Sequence, residues 1–360
     1  MIKVIIPDSV TTVEYATFNE CSNLESIIIP EGVTTIETMA FSRCISLKKI
    51  ILPSSVTKIG SQAFYDCSDL KSIVIPKNVK TIESEAFEHC DNLIIYTKSD
   101  TEGHKYAEEN GQRYIIDSEG PEITFEPNGS ENPQKGYSVK VGVADNQEEV
   151  GVKDISLKYQ WTQSETEPTK ESFTESFENG QTITKSTGDG KWYLWIYAED
   201  NLENETITRS DAFNFDNTAP IINIEYSRKE ITEDPVIVTI TSNEEIQEVE
   251  GWILSSDKKA LTKEYSENTN ETITVKDLAG NEIQAVVEII NIGKIEIGDI
   301  NQDGRIDVTD LLMLKRHLVA GSRTEWILTG RALLLADMNE DGNVDVTDML
   351  MLKRIIVEDM

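Results

Sequence analysis

The chain has 360 residues and a net charge of −32, from 65 Asp and Glu against 33 Lys and Arg. So strong an acidic excess argues against nucleic acid or an anionic membrane surface as partner, because both need the opposite sign. No apolar run approaches the length of a membrane helix.

The N-terminal third repeats with a period of 23. Units open at Met1, Leu24, Leu47 and Leu70, in the frame Leu-x-x-Ile-x-Ile-Pro, then Val-x-x-Ile, then Ala-Phe-x-x-Cys. Each unit offers one line of apolar side chains, and stacking the units makes a continuous core. This frame resembles the BspA type of bacterial leucine-rich repeat across residues 1–116, and His104 to Tyr114 resembles that family's closing helix and strand. The four cysteines, Cys21, Cys44, Cys67 and Cys90, stand one repeat apart. An even number suggests two disulfides, but equal spacing predicts a row of small buried thiols.

Outward positions of the strand row carry Ile5, Ile28, Ile51 and Val74, flanked by Lys3, Ser26, Lys49 and Ser72. Strand propensity alone selects such a β-branched row; an exposed apolar stripe also serves to bind a protein or carbohydrate ligand. The solenoid opens without a polar capping unit or a leader peptide. That predicts a piece of a longer secreted protein.

Between Asp117 and Ile297 the pattern changes to short alternating strands, among them Lys191 to Ala198 and Pro235 to Thr241. Frequent turns between such strands predict β-sandwiches. The strings Ala198-Glu-Asp-Asn, Asp216-Asn-Thr-Ala-Pro and Lys276-Asp-Leu-Ala-Gly-Asn resemble Ig-like spacer modules of bacterial surface proteins. This region holds 15 Lys and Arg against 37 Asp and Glu, a net of −22, for which solubility is the plain explanation. A calcium site at an Asp200/Asp216 joint is a minor alternative, as is a carbohydrate platform built from Trp161, Trp192, Trp195 and Tyr197 in place of ordinary core packing.

The C-terminus carries two near-copies of one oxygen-rich loop: Asp299-Ile-Asn301-Gln-Asp303-Gly304-Arg305-Ile-Asp307-Val-Thr-Asp310 and Asp337-Met-Asn339-Glu-Asp341-Gly342-Asn343-Val-Asp345-Val-Thr-Asp348. Positions 1, 3, 5, 9 and 12 bear oxygen side chains, position 6 is Gly, and position 7 contributes a carbonyl whatever its side chain. That is the ligand order of an EF-hand-type calcium loop, with Asp where Glu usually closes it. A helix follows each loop, Leu311 onward and Met349 onward, but the first loop has no amphipathic helix before it. Loop and exiting helix, twice, resemble the type I-like dockerin of cellulosomal proteins over residues 297–360. The resemblance implies two bound Ca²⁺ and docking onto a cohesin of a scaffold or cell-surface anchor. It puts the contacts on Val308, Thr309, Lys315 and Arg316, repeated as Val346, Thr347, Lys353 and Arg354. The Lys-Arg pairs also suit a helix C-terminus. Eight loop aspartates repel one another without metal, so folding and metal binding are expected to be one equilibrium.

The histidines, His89, His104 and His317, are scattered over the repeats, the cap and the last module. No nucleophile elbow, phosphate loop, His-Glu-x-x-His or dinucleotide fingerprint occurs. The expected architecture is multidomain: a leucine-rich-repeat solenoid with cap (1–116), two Ig-like β-sandwiches (117–218 and 219–296) and a small α-helical calcium-binding dockerin (297–360). The expected role is that of an extracellular, non-catalytic binding protein without nucleic-acid or membrane-spanning function. The alternative is the C-terminal part of a cellulosomal enzyme or peptidase whose catalytic module lies upstream.

Overall fold

Four prolines, Pro7, Pro30, Pro53 and Pro76, end the strands of the repeat and set its geometry. Each carbonyl accepts the N–H of the valine three residues on, at 3.0–3.2 Å, so the chain turns at the same place in every unit. In the computed structural model, which describes residues 2–229, 232–293, 296–320 and 327–358, the chain divides into two compact units, Met1–Phe215 and Asp216–Met360.

In the first unit the repeat builds a coil with two parallel ladders. One runs through Lys49–Ile51, Ser72–Val74, Ile94–Thr97 and Arg113–Ile116, with Ile2–Ile5 and Leu24–Ile28 paired ahead of it. The other joins Thr12–Val13, Thr35–Ile36, Lys58–Ile59 and Thr81–Ile82. Registers such as Ile50 to Ile73 to Ile95 place each unit's Ile and Leu side chains on one interior line. Phe18, Phe41, Phe64 and Phe87 stack along it with ring centroids 5.2–5.3 Å apart. Helix α1 (Glu102–Glu109) closes the column by laying Tyr106 edge-on against Phe87.

Two positions per turn hold a left-handed backbone without glycine: Met39 and Arg43, Gln62 and Asp66, Glu85 and His89, with φ from +52° to +63°. At Met39, Arg43, Gln62 and Asp66 the strain is offset because the N–H bonds to a carbonyl of the next turn, at 2.8–3.2 Å, as Arg43 does to Tyr65.

The cysteines form no disulfide. Cys44, Cys67 and Cys90 are buried, and each thiol donates 3.1 Å to the carbonyl of a phenylalanine in the preceding unit. Cys21, expected in the same buried row, is exposed.

Beyond Asp117, strands Glu122–Glu126, Tyr137–Ala144 and Thr182–Lys185 form an antiparallel sheet. It faces a larger sheet ordered Ser130–Gln134, Phe213–Phe215, Gly190–Glu199, Lys158–Thr162 and Glu175–Ser176, with Glu205–Arg209 also on Gly190–Glu199. Strand alternation explains the core between them: Val139, Val141 and Ile183 from one sheet meet Leu194, Ile196 and Phe213 from the other. The opposite face of Gly190–Glu199 turns Tyr193, Trp195 and Tyr197 onto Phe173. Trp195 and Tyr197 are buried, so the aromatic row packs and offers no carbohydrate platform from these two rings.

In the second unit a sheet ordered Ile222–Tyr226, Val236–Ser242, Ala260–Tyr265 and Ile253–Leu254 shares a core with the hairpin Thr269–Lys276/Glu282–Ile289. The last module contains helices α2 (Val308–Leu318), α3 (Gly330–Ala336) and α4 (Val346–Glu358) around Ile300, Leu314, Met338, Leu352 and Ile356.

Candidate calcium loops and interaction faces

Gly304 and Gly342, both at φ +84°, let the backbone turn back on itself at the sixth loop position. A side chain there would meet no neighbour, so conformation, not space, calls for glycine. Backbone N–H groups then fix the carboxylates. Asp299 accepts from Asp303 N and Gly304 N at 3.1 and 3.0 Å, and Asp337 from Asp341 N and Gly342 N at 3.2 and 2.8 Å. Asn301 and Asn339 accept from the N–H of Asp303 and Asp341. Asp303 and Asp341 in turn accept from Arg305 and Asn343, at 3.0 and 2.9 Å.

The ninth and twelfth residues serve loop and helix together. Asp307 caps α2 by accepting Thr309 N at 2.7 Å, and Asp310 reaches back to Asp307 N at 2.9 Å, forming a capping box. Asp345 and Asp348 repeat this with Thr347 N and Asp345 N at α4. Asp310 and Asp348 are wholly buried, and the second oxygen of each accepts Asn301 N or Met338 N. Thr309 on Asp307, and Asn343 on Asp341, hold those carboxyls below the usual carboxylate range, so both are ionised at neutral pH.

This donor set fits a hard cation. It consists of carboxylate and amide oxygens, with the Arg305 and Asn343 carbonyls as seventh-position donors and neither nitrogen nor sulfur ligands. Two of its carboxylates are fully buried and have no lysine or arginine paired with them among the described residues. A Ca²⁺ ion in each loop would supply the missing positive charge.

The eight residues expected to contact a partner are all exposed on α2 and α4. Val308, Thr309, Lys315 and Arg316 fall on one face of α2 because i, i+1, i+7 and i+8 share a side; Val346, Thr347, Lys353 and Arg354 do the same on α4. Between them stand Leu312 and Leu350, 46% and 58% exposed. Sequence reasoning missed this central pair, although its i+4 spacing from Val308 and Val346 was the available signal. It also missed α3, which lies between the repeats, buries Leu335 and brings Ala336 into the core. Arg331 of α3 donates to the Ile292 carbonyl at 2.8 Å, tying the module to the preceding β segment. Trp326 lies outside the described residues.

The strand row of the solenoid is not the open face expected. Val74 is fully buried beneath Val150 and Leu202 from the β-sandwich of the same unit. Polar contacts flank them: Lys49 to Glu149 at 3.3 Å, Ser72 to Glu149 at 2.8 Å and Lys77 to Glu203 at 2.9 Å. Ile5 and Ile28 remain exposed and line a groove of about 780 Å³ with Lys3, Ser26, Lys49 and Ile155.

Asp200 groups with Asp117 and Asp145, and Asp216 with Glu244 and Asp277.

Comparison with known proteins places names on both ends. Residues 1–103 match the BspA type leucine-rich repeat region in six copies, and residues 297–357 match the dockerin type I domain. The chain thus carries a BspA-type leucine-rich repeat region and a C-terminal type I dockerin domain. No curated protein matches. Among solved structures, a leucine-rich repeat protein from Bacteroides ovatus is 39% identical over 26% of this chain and 24% of its own, with a TM-score of 0.25. A leucine-rich repeat protein of T. pallidum is 35% identical over 27% and 47%, TM-score 0.26. A leucine-rich cell surface protein of Faecalibacterium prausnitzii is 33% identical over 29% and 28%, TM-score 0.27. The match spans less than half the length of each of these proteins.

Proposed function

We propose that this chain is an extracellular, non-catalytic binding protein, fixed to a cohesin on a scaffold or cell surface by its calcium-folded dockerin. In this reading the leucine-rich repeats present the interaction surface, and two Ig-like sandwiches act as spacers. The division is 1–116, 117–218, 219–296 and 297–360, with two Ca²⁺ held by Asp299, Asn301, Asp303, Arg305, Asp307 and Asp310 and by their counterparts Asp337 to Asp348. Both matched segments are binding modules.

The observation that carries the reading is the duplication of an exposed face. Val308, Thr309, Leu312, Lys315 and Arg316 recur as Val346, Thr347, Leu350, Lys353 and Arg354 on a second helix, each set beginning where its loop ends. Because each helix is capped by its loop's own aspartates, a bound ion orders ligand and face in one step. Identical faces support docking in either of two orientations.

The test is calorimetric titration of the chain with a panel of cohesins, in calcium and in EDTA. Tight binding to one member that vanishes in EDTA is expected. Val308→Asp or Val346→Asp alone removes one of two equivalent modes and weakens binding about twofold, whereas the pair removes a central contact from both faces and costs on the order of 30-fold or more. Absence of binding to every cohesin, with calcium still stabilising residues 298–358, would refute docking.

A further inference from the structure

Three carboxylates outside the dockerin loops meet where the solenoid cap passes into the first sandwich. Asp117 follows the strand Arg113–Ile116, and its N–H bonds to the Thr97 carbonyl at 3.0 Å. Asp145 follows Tyr137–Ala144, and Asp200 follows Gly190–Glu199. One carboxylate oxygen of each lies within 4.8 Å of the others. Asp117 is 3% exposed and Asp200 is fully buried.

The hydrogen bonds do not account for all of these oxygens. Asp200 is satisfied: Leu202 N and Asn204 N donate to Oδ1 at 2.7 and 2.8 Å, and Asn204 Nδ2 donates to Oδ2 at 2.6 Å. Asp117 Oδ1 accepts Glu119 N, and Asp145 Oδ1 accepts Gln147 N. The Oδ2 atoms of Asp117 and Asp145 are buried and have no hydrogen-bond partner among the described residues. A buried carboxylate oxygen without a donor is costly, and three converging carboxylates add repulsion to that cost. Lys98, the nearby cation, instead donates to the Glu203 carbonyl at 3.2 Å.

What these oxygens lack is a positive charge that takes several oxygen ligands at once. We propose that Asp117, Asp145 and Asp200 form a calcium site, separate from the dockerin loops, at the joint between the leucine-rich repeats and the first sandwich. Calcium fits better than magnesium because three anionic oxygen ligands at three separate strand ends impose no octahedral geometry. The ion would fix the turn carrying Leu202, which covers Val74 and Tyr96 of the solenoid. Calcium therefore sets the rigidity of the joint and the extent of open solenoid surface. In the second unit, Asp216, Glu244 and Asp277 follow the same plan. There Asn281 takes the part of Asn204, donating to Asp277 Oδ2 at 2.8 Å and to the Asp216 carbonyl at 3.1 Å.

The experiment is calcium titration of the full chain by calorimetry with equilibrium dialysis, comparing wild type, Asp117→Asn with Asp145→Asn, and Asp299→Asn with Asp337→Asn. The first pair is expected to lose about one equivalent of calcium and keep calcium-dependent protection of α2 and α4; the loop pair is expected to show the converse loss. Thermal unfolding separates a cation from a shared proton or a merely structural role. Without calcium the Asp117/Asp145 variant should melt no lower than wild type, and its calcium-dependent rise should be smaller. If the double variant does not fold, Asp145→Asn alone, at a half-buried position, gives the same comparison. Unchanged stoichiometry, or a melting point lowered equally with and without calcium, would overturn the site.

Discussion

Phe64→Ala should open the solenoid locally and leave the rest of the chain untouched. The Phe64 ring is 0% exposed and stacks on both sides, 5.2 Å from Phe41 and 5.3 Å from Phe87. Removing it forfeits about 2–3 kcal/mol of transfer free energy. A ring-sized cavity, on the order of 80 Å³ at about 24 cal/mol per Å³, adds roughly 2 kcal/mol. The total of about 4 kcal/mol corresponds to a near 10³-fold loss of amide protection. Phe18→Ala supplies the internal scale: that ring is partly exposed and stacks on Phe41 alone, so about half the energy is at stake. Hydrogen exchange read by mass spectrometry on the whole chain measures both. Because a solenoid couples nearest neighbours, the loss should extend to Thr35–Ile36 and Thr81–Ile82 and not reach Val236–Ser242. A change under tenfold, or one as large in the second unit as in the solenoid, would refute the stacked-column account.

In the folded chain a thiol reagent should modify Cys21 alone. Cys44 is sealed and burial pushes its thiol up to about 12; fast labelling of more than one cysteine, counted by intact mass, would contradict the buried row. Hydrogen bonds from Tyr265 and Lys263 hold the Glu271 carboxyl below its usual range. A depressed folded value means stability that is present above the unfolded carboxylate pKa and lost as pH falls through the folded one. Glu271→Gln should therefore flatten the acid limb of urea unfolding followed by fluorescence of Trp252, which shares that core; an unaltered pH slope counts against the pair. EDTA should melt α2 and α4 while sparing the phenylalanine column, raising tryptic cleavage at Lys315, Arg316, Lys353 and Arg354 on the order of tenfold or more. Cleavage at an unchanged rate would show that the module folds without metal.

The parts legible in sequence are those where function depends on local order along the chain. The 23-residue frame and the twelve-residue loops state their own geometry, because each residue's role follows from its position in a short repeat. The left-handed positions at Arg43, Asp66 and His89 were not legible, since bulky polar residues there give no glycine signal. Nor was α3, whose seven residues are too few for a periodic pattern to stand out.

Local repetition alone determined the coil of the solenoid and the donor order of the two loops: short-range periodicity fixes which side chains point inward, and hydrogen bonds within a few residues fix which oxygens converge. Tertiary structure alone decided which surfaces stayed open and which distant carboxylates met. Val74 reads as an exposed strand residue until Val150 and Leu202 cover it. Asp117, Asp145 and Asp200 are three aspartates among dozens of acidic residues until three strand ends bring them within 4.8 Å of one another. Side-chain periodicity is encoded by neighbours in sequence, whereas burial between modules depends on contacts across 50 or more residues, for which no local pattern exists.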